Sequence, residues 1–364
     1  MQALASKAGR GIETVSLATF LAREKMVGAD SRFQPFIEVL PWDSLHPLLW
    51  TEAELELLEG TYAFESINAL LDEVDVATDI FEPVLNPKGW KQLFQAIETN
   101  SMDSDDFAFL MRGAFASVIS RNFESTIGQG GADVAEEDEQ RVIIPLLDIF
   151  NHHPLAPTIS FDAVNSFTPD MPPGKRSFAV SARQREGSSA IAKGEELFNY
   201  YGTKPNWEML TSYGFVSSNP ACQESTLTTQ LATDDPLYEA KRDALAKLGI
   251  KPEGQIWDIQ HGKKPSDKLW AYLRIACLDK GELAEADAAM RGQVSEDNER
   301  RAKALLGQTV KARREFLSDS RAAVAAAKAR GQEMLVRAEV ADIVLQLLDS
   351  EWAALDDFSA KNGL

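Results

Sequence analysis

The stretch RVIIPLLDIFNHHP, residues 141–154, is the part of the sequence that decides the fold. Its first ten residues, RVIIPLLDIF (141–150), are mostly apolar and β-branched at their start, which is typical of a buried strand. Asn151, His152 and His153 follow this run immediately. Polar residues that a rigid element delivers to a surface commonly carry function. The stretch therefore predicts a strand over its apolar part that brings an Asn-His cluster to a site.

The segments that follow predict a short β-rich core over about residues 140–202. TISFDAV (158–164) and RSFAVSARQREG (176–187) alternate between apolar and polar residues, as half-buried strands do. A Pro- and Gly-rich stretch lies between them, which is typical of a turn. These patterns place the Asn-His cluster inside a small sheet structure.

Helical patterns flank this core on both sides. TVSLATFLAREK (14–25) carries apolar residues at helical spacing. Thr51 followed by Glu54 gives a capping-box pattern for a later helix. From Asp235 onward, Leu, Val and Trp again recur at three- and four-residue spacing. The sequence thus predicts an α+β protein with a helical C-terminal part.

Length and charge bound the functional class. A chain of 364 residues is long for one hydrophobic core, so two domains are expected. The net charge of −19 argues against nucleic acid as a partner, because phosphate binding needs clustered Lys and Arg. Cys222 and Cys277 give no disulfide framework or zinc-ligand spacing, so no metal is predicted. With no secretory signal or membrane span visible, we expect a soluble intracellular protein.

Two further motifs accompany the Asn-His pair: GEELFNYYG (194–202) and NWEMLTSYGFV (206–216). With LLDIFNHH (146–153), they resemble, in this order, the motifs of SET-domain protein methyltransferases. The resemblance is to the branch that includes the Rubisco large-subunit lysine methyltransferase and the actin-histidine methyltransferase. VISRNF (118–123) is similar to the SRAF segment of that branch. The resemblance covers most of the chain.

The resemblance implies a domain organisation. It implies a SET β-core with a pseudoknot crossing, within a SET domain over residues 1–220 that has a helical insert at about 14–105. An all-α substrate-binding domain like that of the Rubisco methyltransferase is implied for residues 221–364. Two strands usual after the Gly-x-Gly of this branch are missing after GRGI (9–12), so the SET domain is expected to be N-terminally abbreviated or to begin upstream.

The resemblance also implies an activity: S-adenosyl-L-methionine-dependent transfer of a methyl group to a lysine nitrogen of a protein substrate. Methyl transfer to an amine is an in-line displacement, so positioning and exclusion of water matter most. An aromatic channel favours the uncharged amine, because burial disfavours the ammonium form. We expect a monomeric transferase; chloroplast, cytoplasm and nucleus are not distinguished.

The resemblance assigns roles to individual residues. Tyr201 is the expected catalytic residue, and Phe123, Tyr213 and Phe198 are expected to bind the substrate. An aromatic residue at position 123 is typical of lysine-methylating relatives, whereas the histidine-methylating relative has Asn there. The expected cofactor contacts are Arg121, Asn151, His152, Asp148, Gly9 and Gly11.

Each assignment has a structural alternative. Adjacent strand residues point to opposite faces, so His152 and His153 are not expected to share a metal, and either can be a buried core histidine. Tyr201 and Tyr213 can be core aromatics, and Arg121 can be a cation that stabilises a helix end. Two functional alternatives also stay open: a catalytically impaired SET-fold module that binds proteins, and a protein-histidine methyltransferase.

Overall fold

A computed structural model describes residues 11–85, 102–125, 140–154, 158–164, 177–182 and 191–364. The chain forms two compact units. The first consists of Met1–Thr203 and Trp207–Phe215, and the second of Lys204–Asn206 and Val216–Leu364. In the described ranges, no helix combines the length and apolar character needed to cross a membrane.

Helices form the N-terminal part of the first unit. They are α1 (Gly11–Val27), α2 (Gln34–Ile37), α3 (Glu52–Glu56), α4 (Tyr62–Leu85) and α5 (Ser104–Arg121). Helices α1 and α4 both pack against α5, and Leu21, Ile67 and Phe115 are almost fully buried. The predicted capping box begins α3: the Thr51 hydroxyl accepts from the Glu54 amide, and the Glu54 carboxylate accepts from the Thr51 amide.

The strands of the first unit form three two-stranded sheets within the described ranges. β1 (Asn122–Ser125) pairs antiparallel with β2 (Gln140–Ile143), β3 (Asn151–His152) pairs parallel with β6 (Phe198–Asn199), and β4 (Ile159–Val164) pairs antiparallel with β5 (Ser177–Ala182). The strands predicted at 158–164 and 176–187 are present as β4 and β5, although residue 176 and residues 183–187 lie outside the described ranges.

The strand predicted over residues 141–150 is wrong beyond Ile143. Pro145 has no amide hydrogen, so it cannot continue a strand ladder. The chain turns instead, and the amides of Leu147 and Asp148 both donate to the Ile144 carbonyl, at 3.1 and 3.3 Å. Leu146 takes up a φ of +76° in this turn. The turn re-aims the chain so that Asp148 precedes a separate short strand, β3.

The pairing of β3 with β6 joins two distant segments. Asn151 lies opposite Phe198, and His152 lies opposite Asn199. The ladder is extended by the His153 amide, which donates to the Asn199 carbonyl at 2.9 Å. The motifs at 146–153 and 194–202 therefore lie side by side, in agreement with the SET β-core that the resemblance implies.

The helix α6 (Asn206–Tyr213) follows, and the second unit is then mostly helical. Its helices are α7 (Tyr238–Lys247), α8 (Asp267–Ala276), α9 (Ala286–Ala289), α10 (Glu296–Arg330) and α11 (Ala338–Asn362). Ion pairs join α10 to α11, including one between the partly exposed Arg313 and the buried Glu351 at 2.5 Å.

The second unit also contains an antiparallel pair of strands, which the all-α domain implied by the resemblance does not include. β7 (Glu224–Thr229) pairs with β8 (Gln255–Gln260), and Trp257 Nε1 donates to Thr229 Oγ1 at 2.8 Å. In β8 the buried residues Trp257 and Ile259 alternate with exposed ones. This alternation has the two-residue period of a strand. It is only six residues long and lies between segments with helical periodicity, so the sequence gives it little weight.

Candidate functional site

A cavity of about 360 Å³ lies in the first unit, beside β3 and the end of α5. Its volume is within the range of small-ligand pockets. The predicted site residues that line it are Arg121, Asp148, Asn151, His152, Tyr201 and Tyr213. The remaining lining residues are Pro41, Ser44, His46, Ser120 and Phe215. One cavity thus brings together six residues that the sequence spreads over more than ninety positions.

Hydrogen bonds fix both the phenol hydroxyl and the backbone amide of Tyr201. Its hydroxyl donates to the Phe150 carbonyl at 2.6 Å, and its amide donates to His152 Nδ1 at 3.0 Å. The phenol ring lies 4.8 Å from the ring of Tyr213. Burial raises the pKa of the Tyr201 phenol to about 12, although the nearby Arg121 partly opposes this. The hydroxyl therefore stays protonated at neutral pH, and its oxygen can accept a further hydrogen bond.

Arg121 and Asp148 form a charged pair on the cavity wall. Arg121 is the last residue of α5, and its Nη1 donates to the Asp148 carbonyl at 2.7 Å and lies 3.5 Å from Asp148 Oδ2. Burial raises the pKa of the Asp148 carboxyl, and the Arg121 guanidinium opposes this shift without cancelling it. Within the described part of the chain, Asp148 Oδ1 and Arg121 Nε are buried without a hydrogen-bond partner.

The Asn-His pair has two separate tasks. Asn151 Nδ2 donates to Glu196 Oε1 at 2.7 Å and so links the two motifs by their side chains. His152 accepts at Nδ1, which places the proton of the neutral ring on Nε2. Burial, with a smaller contribution from His153, lowers the pKa of His152 below its ordinary 6.5. The ring of His153 contacts Phe198 instead, with ring centres 5.3 Å apart.

Gly214 allows the Tyr-Gly-Phe motif to reach the cavity. Its φ is +80°, a conformation that residues with a Cβ rarely adopt. A Cβ at this position would lie 3.1 Å from the Cα of His46 and 3.2 Å from its amide nitrogen. Glycine therefore lets the backbone of residues 213–215 pack against the backbone at His46, so that Tyr213, Phe215 and His46 share one cavity.

Three predicted site residues do not line this cavity, and a fourth lies outside the described ranges. Phe123 is in β1 opposite Val142, and Phe198 is in β6, where it contacts His153. Gly11 begins α1 with a φ of +83°. Gly9 is not among the described residues. Roles for these four in binding substrate or cofactor stay predictions.

His46 and Phe215 are lining residues that sequence reasoning missed. Phe215 stands in the quoted YGFV motif, so the motif itself was the available signal. His46 is only 2% exposed, and its Nδ1 accepts from the Leu48 amide at 3.2 Å. No spacing or periodicity points to His46, because its place in the wall depends on the close approach of Gly214.

Aromatic side chains form one side of the cavity. Ring centres of Tyr201, Tyr213 and Phe215 lie 4.8–6.4 Å from one another. Aromatic faces attract alkylated cations such as ammonium and sulfonium groups. Arg121, Asp148 and His152 also line the cavity, and each has a buried polar atom without a hydrogen-bond partner among the described residues. Such a site suits a ligand with a cationic alkyl centre and polar ends. Among the described residues, no three His, Cys, Asp or Glu side chains group as metal ligands would.

Comparisons with known proteins point the same way. Residues 232–320 match the family described as Rubisco LSMT substrate-binding. The chloroplastic fructose-bisphosphate aldolase-lysine N-methyltransferase of Arabidopsis thaliana is 28% identical over 270 residues, which cover 72% of this chain and 49% of that protein. The human actin-histidine N-methyltransferase is 25% identical over 282 residues, covering 74% and 41%. The chain spans about half the length of the curated relatives it matches.

Solved structures identify the fold. The crystal structure of the SET domain of LSMT bound to lysine and AdoHcy superposes with a TM-score of 0.57 at 21% identity. The superposition covers 96% of this chain and 74% of that structure. The resemblance predicted from the motifs is therefore confirmed: this chain has the SET-domain fold of LSMT, and its residues 232–320 match the Rubisco LSMT substrate-binding family.

Proposed function

We propose that the chain is an S-adenosyl-L-methionine-dependent protein-lysine N-methyltransferase. The observation that carries this proposal is the arrangement of Tyr201. Its hydroxyl proton is committed to the Phe150 carbonyl, so toward the cavity the phenol oxygen acts as an acceptor. An amine N–H, or a methyl C–H polarised by an adjacent positive sulfur, is a suitable donor to it. Tyr201 would thus orient donor and acceptor in the space that Tyr213 and Phe215 enclose.

The residues present fit the methyl donor. Three buried polar atoms, Asp148 Oδ1, Arg121 Nε and His152 Nε2, have no hydrogen-bond partner within the described residues, so a polar ligand can provide one. Arg121, Asp148, Asn151 and His152 would hold the nucleoside and amino-acid ends of the donor, as the sequence resemblance implies. When bound, the donor supplies a methyl group on a positively charged sulfur.

Tyr201 does not serve as the base in this proposal. With a pKa of about 12, its phenol is neutral near pH 7, and the phenolate that could remove a proton is very scarce. The lysine must therefore lose its proton to solvent before the nitrogen attacks. Burial between aromatic rings favours that loss, because it penalises the ammonium form. The site would act by orientation and by excluding water.

A protein substrate is part of the proposal. The match of residues 232–320 to a Rubisco LSMT substrate-binding family supports it, and the helical domain over residues 221–364 would dock the substrate. The SET domain would be the part up to about residue 220. We propose that the protein acts as a monomer and without nucleic acid, which the net charge of −19 supports.

Protein-histidine methylation is a second candidate, because the human actin-histidine N-methyltransferase is nearly as similar to this chain as the lysine enzyme of Arabidopsis thaliana. The aromatic residue at position 123 favours lysine through the resemblance described above. The two candidates share the cavity and differ in the acceptor nitrogen.

The test is transfer of labelled methyl from S-adenosylmethionine into a whole-cell protein extract, with mass spectrometry of the labelled band. We expect methyl-lysine with the natural chain, and at least about a tenfold lower rate for Tyr201→Phe, since a hydrogen bond to a charged or polarised group contributes about 1.5–3 kcal/mol. Tyr238→Phe is the matched control, because this phenol donates to Glu253 in the second unit.

Other results would change the conclusion. Label on histidine would establish the second candidate. No transfer, together with no heat of binding at millimolar S-adenosylmethionine, would refute the enzyme and favour a module that only binds proteins. Equal rates for the natural chain and Tyr201→Phe would refute the role given to this phenol.

A further inference from the structure

Both ends of Tyr201 are tied to the same three-residue stretch of chain. The phenol oxygen donates to the carbonyl of Phe150, and the backbone amide donates to the side chain of His152. The second bond is unusual for a strand neighbour, because a side-chain nitrogen rather than a carbonyl accepts the amide hydrogen. The position of the phenol therefore depends on the imidazole as well as on the strand pairing.

We propose that His152 is a positioning residue, whose Nδ1 accepts the Tyr201 amide hydrogen and thereby fixes the phenol in the cavity. The inference rests on the proposed function and deepens it, since it gives the His152 side chain a task separate from contact with the methyl donor. It makes Tyr201 depend on one protonation state of one ring.

Packing holds the imidazole in the required orientation. Its ring stacks on Tyr200 at 5.6 Å and an interplanar angle of 30°, and on Phe215 at 5.7 Å and 29°. Two stacked faces hinder the rotation that would exchange Nδ1 for another ring atom. Nε2 is buried and has no hydrogen-bond partner among the described residues. The hydrogen bond that the Tyr201 amide donates to Nδ1 therefore selects the neutral tautomer that carries its proton on Nε2.

Protonation would break this arrangement. A charged imidazole carries a hydrogen on both nitrogens, so Nδ1 would point a donor at the donor of Tyr201. The titratable and charged groups around the ring are His153, Tyr200, Tyr201, Tyr213, His46, Arg121 and Asp148. Burial and His153 both lower the pKa of His152, so the accepting form prevails at neutral pH and is lost on acidification below 6.5.

Two substitutions separate hydrogen bonding from packing. Asn has an amide oxygen at the place of Nδ1, and Leu has the same branching without an acceptor. Both variants lose the ring Nε2 that the proposed function offers to the methyl donor, and only His152→Asn keeps an acceptor for the Tyr201 amide, so the two are compared with each other at pH 8. We expect His152→Leu to transfer methyl into the extract about tenfold more slowly than His152→Asn, because in His152→Leu the Tyr201 amide has lost its acceptor.

The pH profile gives a second readout. The natural chain should lose activity more steeply with falling pH below 6.5 than His152→Asn does, since only the natural chain can protonate at this position. A structural role alone would leave the two profiles parallel. Equal losses in both variants, no loss in either, or parallel profiles would overturn the inference.

A nuclear magnetic resonance measurement makes the inference independent of activity. With nitrogen-labelled histidine, the four histidines of the chain give few signals, and the one lost in His152→Asn belongs to His152. We expect an unprotonated Nδ1 and a protonated Nε2 at pH 8, and a proton on Nδ1 would overturn the inference. If the natural chain transfers no methyl, the proposed function fails, and this tautomer still decides whether His152 holds Tyr201.

Discussion

Replacement of Gly214 by Ala tests how the cavity is assembled. This glycine lies between Tyr213 and Phe215, which both line the cavity, and its backbone packs against His46 on the opposite side. The substitution adds one methyl group and leaves every polar contact in place. Its effect therefore reports only on backbone conformation and on the close approach of two chain segments.

Two costs add in Gly214→Ala. A φ of +80° costs a residue with a Cβ about 1–2 kcal/mol. The added Cβ would lie 3.1 Å from the His46 Cα and 3.2 Å from the His46 amide nitrogen. Both are backbone atoms, so they cannot rotate away as the end of a side chain could. Overpacking of this kind typically costs about 1–3 kcal/mol. We expect the free energy of unfolding of the first unit to fall by about 2–5 kcal/mol.

Gly194→Ala is the matched control. Its φ is +90°, yet a Cβ there would meet no atom within 4 Å. This variant should lose only the conformational part, about 1–2 kcal/mol. Urea denaturation followed by circular dichroism measures both, and labelled methyl transfer under folding conditions reports on the cavity. Equal destabilisation by the two substitutions, or full transfer activity in Gly214→Ala, would refute the close approach at His46.

Two further predictions concern the second unit. Glu351→Ala should lower the free energy of unfolding by about 3–5 kcal/mol, because Arg313 and the Ser225 hydroxyl would both lose the buried carboxylate to which they donate; the double replacement of Glu351 and Arg313 by Leu should recover most of this in urea denaturation, and equal instability of both variants would contradict it. Asn206→Ala should lower the free energy of unfolding by about 2–4 kcal/mol in the same assay, because the amide and the carbonyl of Ser217 both form hydrogen bonds with the Asn206 side chain. A decrease below about 1 kcal/mol would contradict this prediction.

Local signals in the sequence located the helices well. The periodicity at 14–25 predicted α1, which extends from Gly11 to Val27, and Thr51 with Glu54 predicted the capping box that begins α3. Both signals act between residues three or four apart, so a short segment contains all the information. The same local reasoning overextended the strand at 141–150, because it gave the apolar run more weight than the missing amide of Pro145.

The motifs named most of the cavity but not its geometry. Six lining residues follow from the resemblance, whereas Phe123 and Phe198 carry motif-based roles and lie elsewhere in the unit. His46 also lines the cavity, although no motif or periodicity in the sequence points to it. A resemblance between sequences indicates which residues belong to the motifs, but it does not show which of their side chains line the same cavity.

The α+β class, the helical segments and the order of the SET motifs could be read from the residues alone, because hydrophobic period, caps and residue identity are local properties of the chain. Three features required the folded chain: the register that places Asn151 against Phe198, the approach of Gly214 to His46, and the burial that raises the pKa of Tyr201. These three depend on atoms far apart in the chain, and their distances and solvent exposure are defined only when the segments have packed together.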